Sequence, residues 1–350
     1  MASIRLADDS DNSQLLNLEK MCPQGTSLVL SFDRSPDFFA RSRVYKDYSL
    51  YVADENGKVV GTVGVTAKQF NTRRETVKGI YVYDLRVNPR CRGKGIGSRL
   101  VQHAMTEQGE ADLAYGVIMG DNYPSIGLFR KLGFQSMRGF TLFSIPVFKR
   151  SACTTPEVRP LVSEDVPQVV DLLNSYYSDH DFFAKLTEDD FLERTKKLPG
   201  YSLANLQVVE IDSKIQACAG LWDYSKIFSI TALHVSAKLT LLRYLLKFIG
   251  VFKNTMQMPS VGEPFKISYM RDFAFVGEAE MATEFVKHCL CLAYSYNCSF
   301  LTFALDPAES IIPAVSRYNP VRTTYQIYAK SLSDRIMPSP RIVYVDPMDL

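Results

Sequence analysis

The sequence predicts an α/β protein of the α+β kind, built from two tandem domains. Each domain is expected to be a mixed, mostly antiparallel sheet flanked by helices. Three observations carry this expectation. Strand-like and helix-like runs alternate along all 350 residues. The order of those runs restarts after a polar stretch at Lys149–Pro156. The length suits two domains of ~150 residues, each able to bury its own core. The expected boundaries are 1–150, 157–332 and a C-terminal tail at 333–350.

Each element has a local reason. Ser3–Leu6 reads as a short first strand. Asp11–Met21 spaces Leu15, Leu16 and Leu18 as a helix does, with Ser and Asp as caps. Ser35-Pro36 is placed to open a second helix running through Phe38, Phe39 and Val44. Ser49–Ala53 and Lys58–Ala67 flank Asn56-Gly57, a pair suited to the positive φ of a type I′ hairpin turn. Gly79–Val87 is dense in β-branched and aromatic residues and reads as a strand. Ile96, Leu100, Val101, Ala104 and Met105 form one helical stripe. Leu113–Met119 is a strand, and Tyr123–Leu132 a helix stopped by Gly133. Phe134–Met137 and Phe140–Phe148 close the half as strands.

After the polar stretch, Val158-Arg159-Pro160-Leu161 and an acidic helix start at Ser163 echo Ile4-Arg5-Leu6 and its own acidic helix start. Gln207–Ile211 and Ile215–Leu221 flank Asp212-Ser213 as a second hairpin. Phe265–Phe275 is a strand, Glu280–Tyr296 a helix, Phe300–Leu305 a strand, Ala308–Tyr318 a helix and Thr324–Ala329 a last strand. This order repeats that of the first half.

Bulk properties exclude several classes. A net charge of +2 lacks the concentrated basic surface of a nucleic-acid binder. Seven cysteines without regular spacing form neither a disulfide framework nor a zinc pattern. Cys289 and Cys291 are read as small packing residues. His103, His180, His234 and His288 have no metal-ligand spacing, so no metal is expected. His180 sits in the acidic run Ser178-Asp179-His180-Asp181, which reads as a solvated turn. The N-terminus has no signal peptide. Leu239–Phe252 is interrupted by Arg243 and Lys247 and falls short of the ~20 residues of a span, so no membrane is expected. A cytoplasmic monomer or homodimer is the default.

The informative run is Tyr83-Asp84-Leu85-Arg86-Val87-Asn88-Pro89-Arg90-Cys91-Arg92-Gly93-Lys94-Gly95-Ile96-Gly97-Ser98-Arg99-Leu100. A strand ends at Val87 and a helix opens after three glycines. Glycines let the backbone approach a ligand closely. A helix N-terminus offers unpaired N–H groups and partial positive charge. Arg92 and Lys94 add full charges, so the loop suits phosphates. The spacing matches neither GxxxxGK[ST] nor GxGxxG.

Val87-x-Pro89-x-x-Arg92-Gly93-x-Gly95-Ile96-Gly97 resembles the acyl-CoA signature of the GNAT superfamily of N-acetyltransferases. A second run, Asn122-x-x-Ser125-Ile126-x-Leu128-Phe129-x-Lys131-x-Gly133-Phe134, resembles the superfamily's following helix. In 157–332 only the order of elements is similar to it, and the glycine loop is missing. The two-part layout and Val343-Tyr344-Val345-Asp346-Pro347 are loosely similar to plant hookless-type acetyltransferases.

The resemblance implies acetyl-CoA as co-substrate and direct acetyl transfer to a primary amine on a small molecule or protein. Backbone at Leu85, Arg86 and Val87 would pair with the pantetheine arm. Arg92, Gly93, Lys94, Gly95, Ile96, Gly97 and Ser98 would hold the pyrophosphate. Asn122, Ser125 and Phe129 would lie beside the thiol. Asp84 and Tyr83 are the candidates for proton transfer, since an alkylamine with a pKa near ~10.4 must lose a proton. Phe129 stands where family members often carry the Tyr that protonates the thiolate. Residues 22–48, with Asp33, Arg34 and Tyr45, are expected on the acceptor side. The alternative to an enzyme is a non-catalytic acyl-CoA-binding regulatory protein. A third reading places function in protein interaction through the second domain.

Overall fold

The computed structural model describes residues 2–25, 28–72, 75–148, 157–235, 262–277, 279–333 and 341–350. The polar stretch at Lys149–Pro156 and the Leu239–Phe252 run lie outside the described residues. The first half holds strands Ser3–Leu6 (β1), Leu28–Asp33 (β2), Tyr48–Glu55 (β3), Lys58–Asn71 (β4), Thr76–Val87 (β5), Leu113–Met119 (β6) and Gln135–Pro146 (β7). Its helices are Asn12–Lys20 (α1), Ile96–Glu107 (α2) and Tyr123–Lys131 (α3). The second half holds Val158–Pro160 (β8), His180–Asp181 (β9), Leu206–Ile211 (β10), Lys214–Asp223 (β11), Ser229–Val235 (β12), Pro264–Phe265 (β13), Ile267–Phe275 (β14), Phe300–Leu305 (β15) and Val321–Ser331 (β16). Its helices are Val166–Tyr176 (α4), Glu188–Lys197 (α5), Ala279–Ser295 (α6) and Ile312–Ser316 (α7). Ile342–Val343 (β17) belongs to the tail and pairs with β9.

One twelve-stranded sheet runs through both halves in the order β1-β3-β4-β5-β6-β16-β7-β15-β14-β11-β10-β8. Its pairs are antiparallel except β5 with β6 and β14 with β15. The halves are joined at the centre by an exchange. The last strand of the second half, β16, lies between β6 and β7. The last strand of the first half, β7, pairs on to β15. An open edge at β6 or β15 would present a row of unmet backbone groups, and the partner half's long strand covers each. A smaller sheet also crosses between halves, pairing β2 with β12.

The internal repeat is visible in side chains as well as in element order. Arg5 donates twice to Asp11, at 2.8 and 2.8 Å. Arg159 donates twice to Asp165, at 2.6 and 2.8 Å. Each aspartate also accepts the backbone N–H three residues before it, from Asp8 and Val162. Both hairpin turns take positive φ, at Asn56-Gly57 and at Asp212-Ser213.

The back of the sheet is covered by α2 in the first half and α6 in the second. Leu100, Val101 and Ala104 pack with Val63, Val82 and Ala114. Phe285, Val286 and Cys289 pack with Ala217, Phe273 and Leu301. Each large apolar side chain among these contributes roughly 1.5–3 kcal/mol on burial. The front carries one cluster shared by both halves, including Tyr81, Tyr115, Phe140, Trp222 and Tyr269.

Some expectations are revised. Phe38–Ala40 and Ser42–Val44 are 3₁₀ turns, not one α-helix. The Ala40, Val44 and Tyr45 N–H groups return to the carbonyls of Asp37, Arg41 and Ser42, three residues back, which is the 3₁₀ pattern. Phe134–Met137 and Phe140–Phe148 merge into β7, because Gly139 continues the strand opposite Gln326. α7 is shorter than expected and begins at Ile312-Pro313. His180 is buried, not solvated, and its Nε2 lies 3.0 Å from Glu309. Cys289 is a packing residue, whereas Cys291 is half-buried and disulfide-bonded.

Candidate functional site

β5 and β6 run parallel at Gly79–Tyr81 and Leu113–Tyr115, then part. The wedge beyond them opens into a cleft of about 580 Å³. Leu85, Arg86 and Val87 form one wall; Met119, Asp121, Asn122 and Ser125 form the other. Arg92, Gly93, Gly95, Ile96, Gly97 and Ser98 close its end.

The loop follows from its sequence. Asn88 accepts from the Arg90 N–H and Pro89 starts a 3₁₀ turn. Gly93 and Gly95 then adopt φ of +78° and +73°, a region costly for residues with a Cβ. A Cβ at either glycine would meet nothing within 4 Å. The conformation and the open face toward the cleft are therefore what call for glycine. Gly97 differs, since a Cβ there would sit 2.8 Å from Leu128, and its absence lets α2 approach α3. No side chain caps α2 at Gly95, so the first-turn N–H groups face the cleft without a side-chain partner. Arg92 reaches back to the Val87 carbonyl at 3.3 Å.

The structure thus brings Leu85, Arg86, Val87, Arg92, Gly93, Gly95, Ile96, Gly97, Ser98, Asn122 and Ser125 to one cleft. Lys94 is exposed and does not line it. Phe129 does not line it either: the ring is buried against Gly116 and Phe134. The cleft also includes Cys22, Gln24 and Gly25, from the loop after α1, and Lys131. Lys131 stands inside the second sequence motif, whereas the loop after α1 carries no comparable signal.

Asp84 and Tyr83 require correction as proton acceptors. Asp84 sits at a bulge in β5 with φ +51°. Its carboxylate contacts Arg34 at 2.5 Å, Arg41 at 3.1 Å and Arg86 at 2.8 Å. Burial alone would raise this carboxyl, but the three guanidiniums outweigh it and hold it far below the usual carboxylate range. Such a carboxylate takes a proton poorly. Burial raises the Tyr83 phenol above its usual range, and its hydroxyl donates to Ser42 at 3.0 Å. It is a neutral packing residue. Glu19 joins the network through Arg34 and Arg86, each at 2.8 Å. Three guanidiniums thus face two carboxylates, leaving one unit of positive charge beside the cleft. Arg34 is consumed in this network. Asp33 pairs with Lys20 at 3.2 Å and accepts from Ser35.

The equivalent wedge of the second half is different. β14 and β15 pair at Ile267–Tyr269 and Phe300–Thr302 and then part. Asp272 repeats the bulge of Asp84, with φ +48°. The wedge holds only about 30 Å³, because Tyr176, Glu309, Tyr344 and Val345 fill it. The first turn of α6 carries Glu280, whose charge opposes a phosphate. Among the described residues no group of His, Cys, Asp and Glu has the geometry of a metal site, and no helix is long and apolar enough to cross a membrane.

Comparisons with known proteins agree with this geometry. Residues 13–134 match the profile described as the Acetyltransferase (GNAT) family. The chain is 26% identical over 327 residues to the probable N-acetyltransferase HLS1 of Arabidopsis thaliana, covering 80% of this chain and 78% of that protein. It is 28% identical over 141 residues to the putative phosphinothricin acetyltransferase YwnH of Bacillus subtilis (strain 168), covering 38% of this chain and 83% of that protein. Among solved structures, Saccharomyces cerevisiae N-myristoyltransferase with bound myristoyl-CoA superposes with a TM-score of 0.65 at 12% identity, covering 94% of this chain and 83% of the other. A GCN5-related N-acetyltransferase from Sphaerobacter thermophilus superposes with a TM-score of 0.59 at 12% identity, covering 97% and 98%. These two structural likenesses concern the fold alone. Residues 13–134 thus match an acetyltransferase (GNAT) domain, and the protein is an acyltransferase with an amine acceptor.

Proposed function

We propose that the protein transfers an acetyl group from acetyl-CoA to a primary amine, with the cofactor held only by residues 1–150. The observation that carries this is the open β5–β6 wedge ending at an uncapped helix N-terminus with two positive-φ glycines. The unpaired edge of β5 at Leu85–Val87 offers backbone groups to the pantetheine amides. The N–H groups between Arg92 and Ser98 face the pyrophosphate, and Arg92 adds charge. Asn122 and Ser125 lie toward the thioester. Residues 157–332 are a repeat of the same fold that has lost cofactor binding and supports the acceptor side.

In the reaction the amine nitrogen attacks the thioester carbon. A C–N bond forms, the C–S bond breaks, and the amine's proton leaves to solvent or to coenzyme A. Phe129 cannot protonate the thiolate. A thiol pKa near ~8.5 makes that thiolate a tolerable leaving group without help.

Calorimetric titration with acetyl-CoA, followed by a free-thiol assay across a panel of primary amines, tests the reading. The expected result is saturable binding and amine-dependent thiol release. Absence of binding would overturn the assignment. Binding without release on any amine would favour an acyl-CoA-binding regulator.

A further inference from the structure

The front of the sheet holds a second cavity, of about 230 Å³, that belongs to neither half alone. Lys68 and Phe70 come from β4, Tyr115 and Val117 from β6, Arg194 from α5, and Asp346 and Asp349 from the tail. It adjoins the acyl-CoA cleft. Val117 lines this cavity and Met119 lines the cleft, and residues two apart on one strand face share a side at about 7 Å. The tail reaches the point where β5 and β6 part. Tyr81 and Tyr115 are the last paired residues of those strands, and the Tyr81 hydroxyl donates to the Asp349 carbonyl at 2.5 Å.

The cavity has a polar end and an apolar body. At the polar end Lys68 Nζ meets Asp349 at 2.5 Å. The Tyr45 hydroxyl lies 2.9 Å from the Met348 carbonyl and 3.2 Å from the same carboxylate. Asp346 is held by Arg271 at 2.6 Å. Burial and the neighbouring Asp346 raise the Asp349 carboxyl, while Lys68 opposes them. Lys68 Nζ also lies over the rings of Tyr45 and Tyr81, at 5.1 and 5.2 Å, and among the described residues Asp349 is the one side chain that accepts a hydrogen bond from it. Arg194 pairs with Asp272 through Nη2, while its buried Nε has no partner. Lys68 and Arg194 side chains retain 22% and 24% exposure, so the polar end meets solvent. The body is aromatic: Phe70 stacks on Phe182 at 4.5 Å, and Tyr115 lies edge-on to both. Phe182 is held at φ +69°, a conformation that is costly for a bulky residue.

We propose that this cavity is the acceptor site and that the acceptor is a free, apolar α-amino acid of leucine to phenylalanine size. The inference rests on the acetyltransferase reading above and names its substrate class. An Asp–Lys pair presents opposite charges side by side, which complements an ammonium and a carboxylate two bonds apart. The ammonium binds Asp349, and the carboxylate takes the remaining donors of Lys68. The side chain lies among Phe70, Phe182 and Tyr115. The volume of about 230 Å³ accommodates one amino acid of that size, and the amide arm of the test below separates a free carboxylate from a peptide bond.

The test uses the full chain with coenzyme A present, so that no turnover occurs. Calorimetry compares L-phenylalanine, L-phenylalaninamide, which lacks the carboxylate, and 3-phenylpropionate, which lacks the amine. The expected result is that L-phenylalanine binds at least tenfold more tightly than either analogue. Asp349→Asn should weaken L-phenylalanine at least tenfold, and Lys68→Met should weaken L-phenylalanine while sparing the amide. Equal binding of L-phenylalanine and its amide, or binding of neither, would overturn the proposal; the wild-type series decides this even if a variant unfolds. Coenzyme A affinity is measured separately. Its absence would sink the acetyltransferase reading, whereas failure of the amino-acid series would sink only the acceptor site.

Discussion

The two halves repeat one order of elements and diverge at the wedge that follows the bulge. Both carry the Arg–Asp clamp on the first strand, a hairpin turn at positive φ, and an aspartate at positive φ on the bulged strand before the wedge. In the first half the wedge opens to about 580 Å³ and meets Gly93, Gly95 and Arg92. In the second it shrinks to about 30 Å³ and is filled by Tyr176 and the tail. The bulge is therefore a property of the scaffold, and phosphate chemistry depends on the residues after it. An aspartate at this bulge need not be catalytic, since the half without a phosphate loop has one as well.

The largest expected effect probes the bulge. Asp84→Ala leaves three buried guanidiniums without their shared carboxylate and should cost about 3–5 kcal/mol. Asp272→Ala removes the partner of a more exposed Arg194 and of Tyr201 and should cost less, about 2–3 kcal/mol. Urea unfolding of both variants measures the difference. A larger loss at Asp272 would break the comparison.

The next effect separates the loops. Gly95→Asp adds a side chain at positive φ and a negative charge against the pyrophosphate, and should weaken acetyl-CoA more than ~100-fold. Gly277→Asp, at φ +108° in the second half, should lower stability by roughly 1–2 kcal/mol yet leave acetyl-CoA affinity unchanged. Calorimetry reads both, and unchanged affinity in Gly95→Asp would remove the cleft assignment.

The smallest effect tests the shared clamps. Arg5 and Arg159 hold Asp11 and Asp165 below the usual carboxylate range by hydrogen bonding. A lowered folded pKa gives stability that is present above the unfolded value, near ~3.9, and lost as pH falls through the folded value. The arginines are partly exposed, so Arg5→Gln and Arg159→Gln should each cost about 0.5–1 kcal/mol near neutral pH. That difference from wild type should shrink as pH falls below ~3.9 and through the lower folded values. A difference constant with pH would exclude the clamps as its cause.

Legibility in the sequence follows the range of the interactions. The strand, glycine loop and helix from Tyr83 to Leu100 are readable because adjacent residues determine them. So are both hairpins and the echo between the two first strands. Asp84 reads as a base in sequence because its partners Arg34 and Arg41 lie 50 and 43 residues away. The exchange of β7 and β16 and the filling of the second wedge by the tail depend on contacts no local pattern encodes. Helix α5 escapes the sequence reading although Thr187 and Asp190 form a capping box, a signal that is local and available. Strands β2 and β12 pair with each other across the halves, and neither run announces its partner.

The crossed position of β7 and β16 bears on how such a duplication persists. Once each copy finishes the other's sheet, neither can be discarded. A gene cut between the halves would yield a fragment in which β6 keeps β5 on one side and loses β16 on the other, and that open edge is a template for aggregation. The backbone of the second half completes the sheet whatever side chains it carries, so the sheet sets no limit on what fills its wedge or lines the aromatic cavity at the seam.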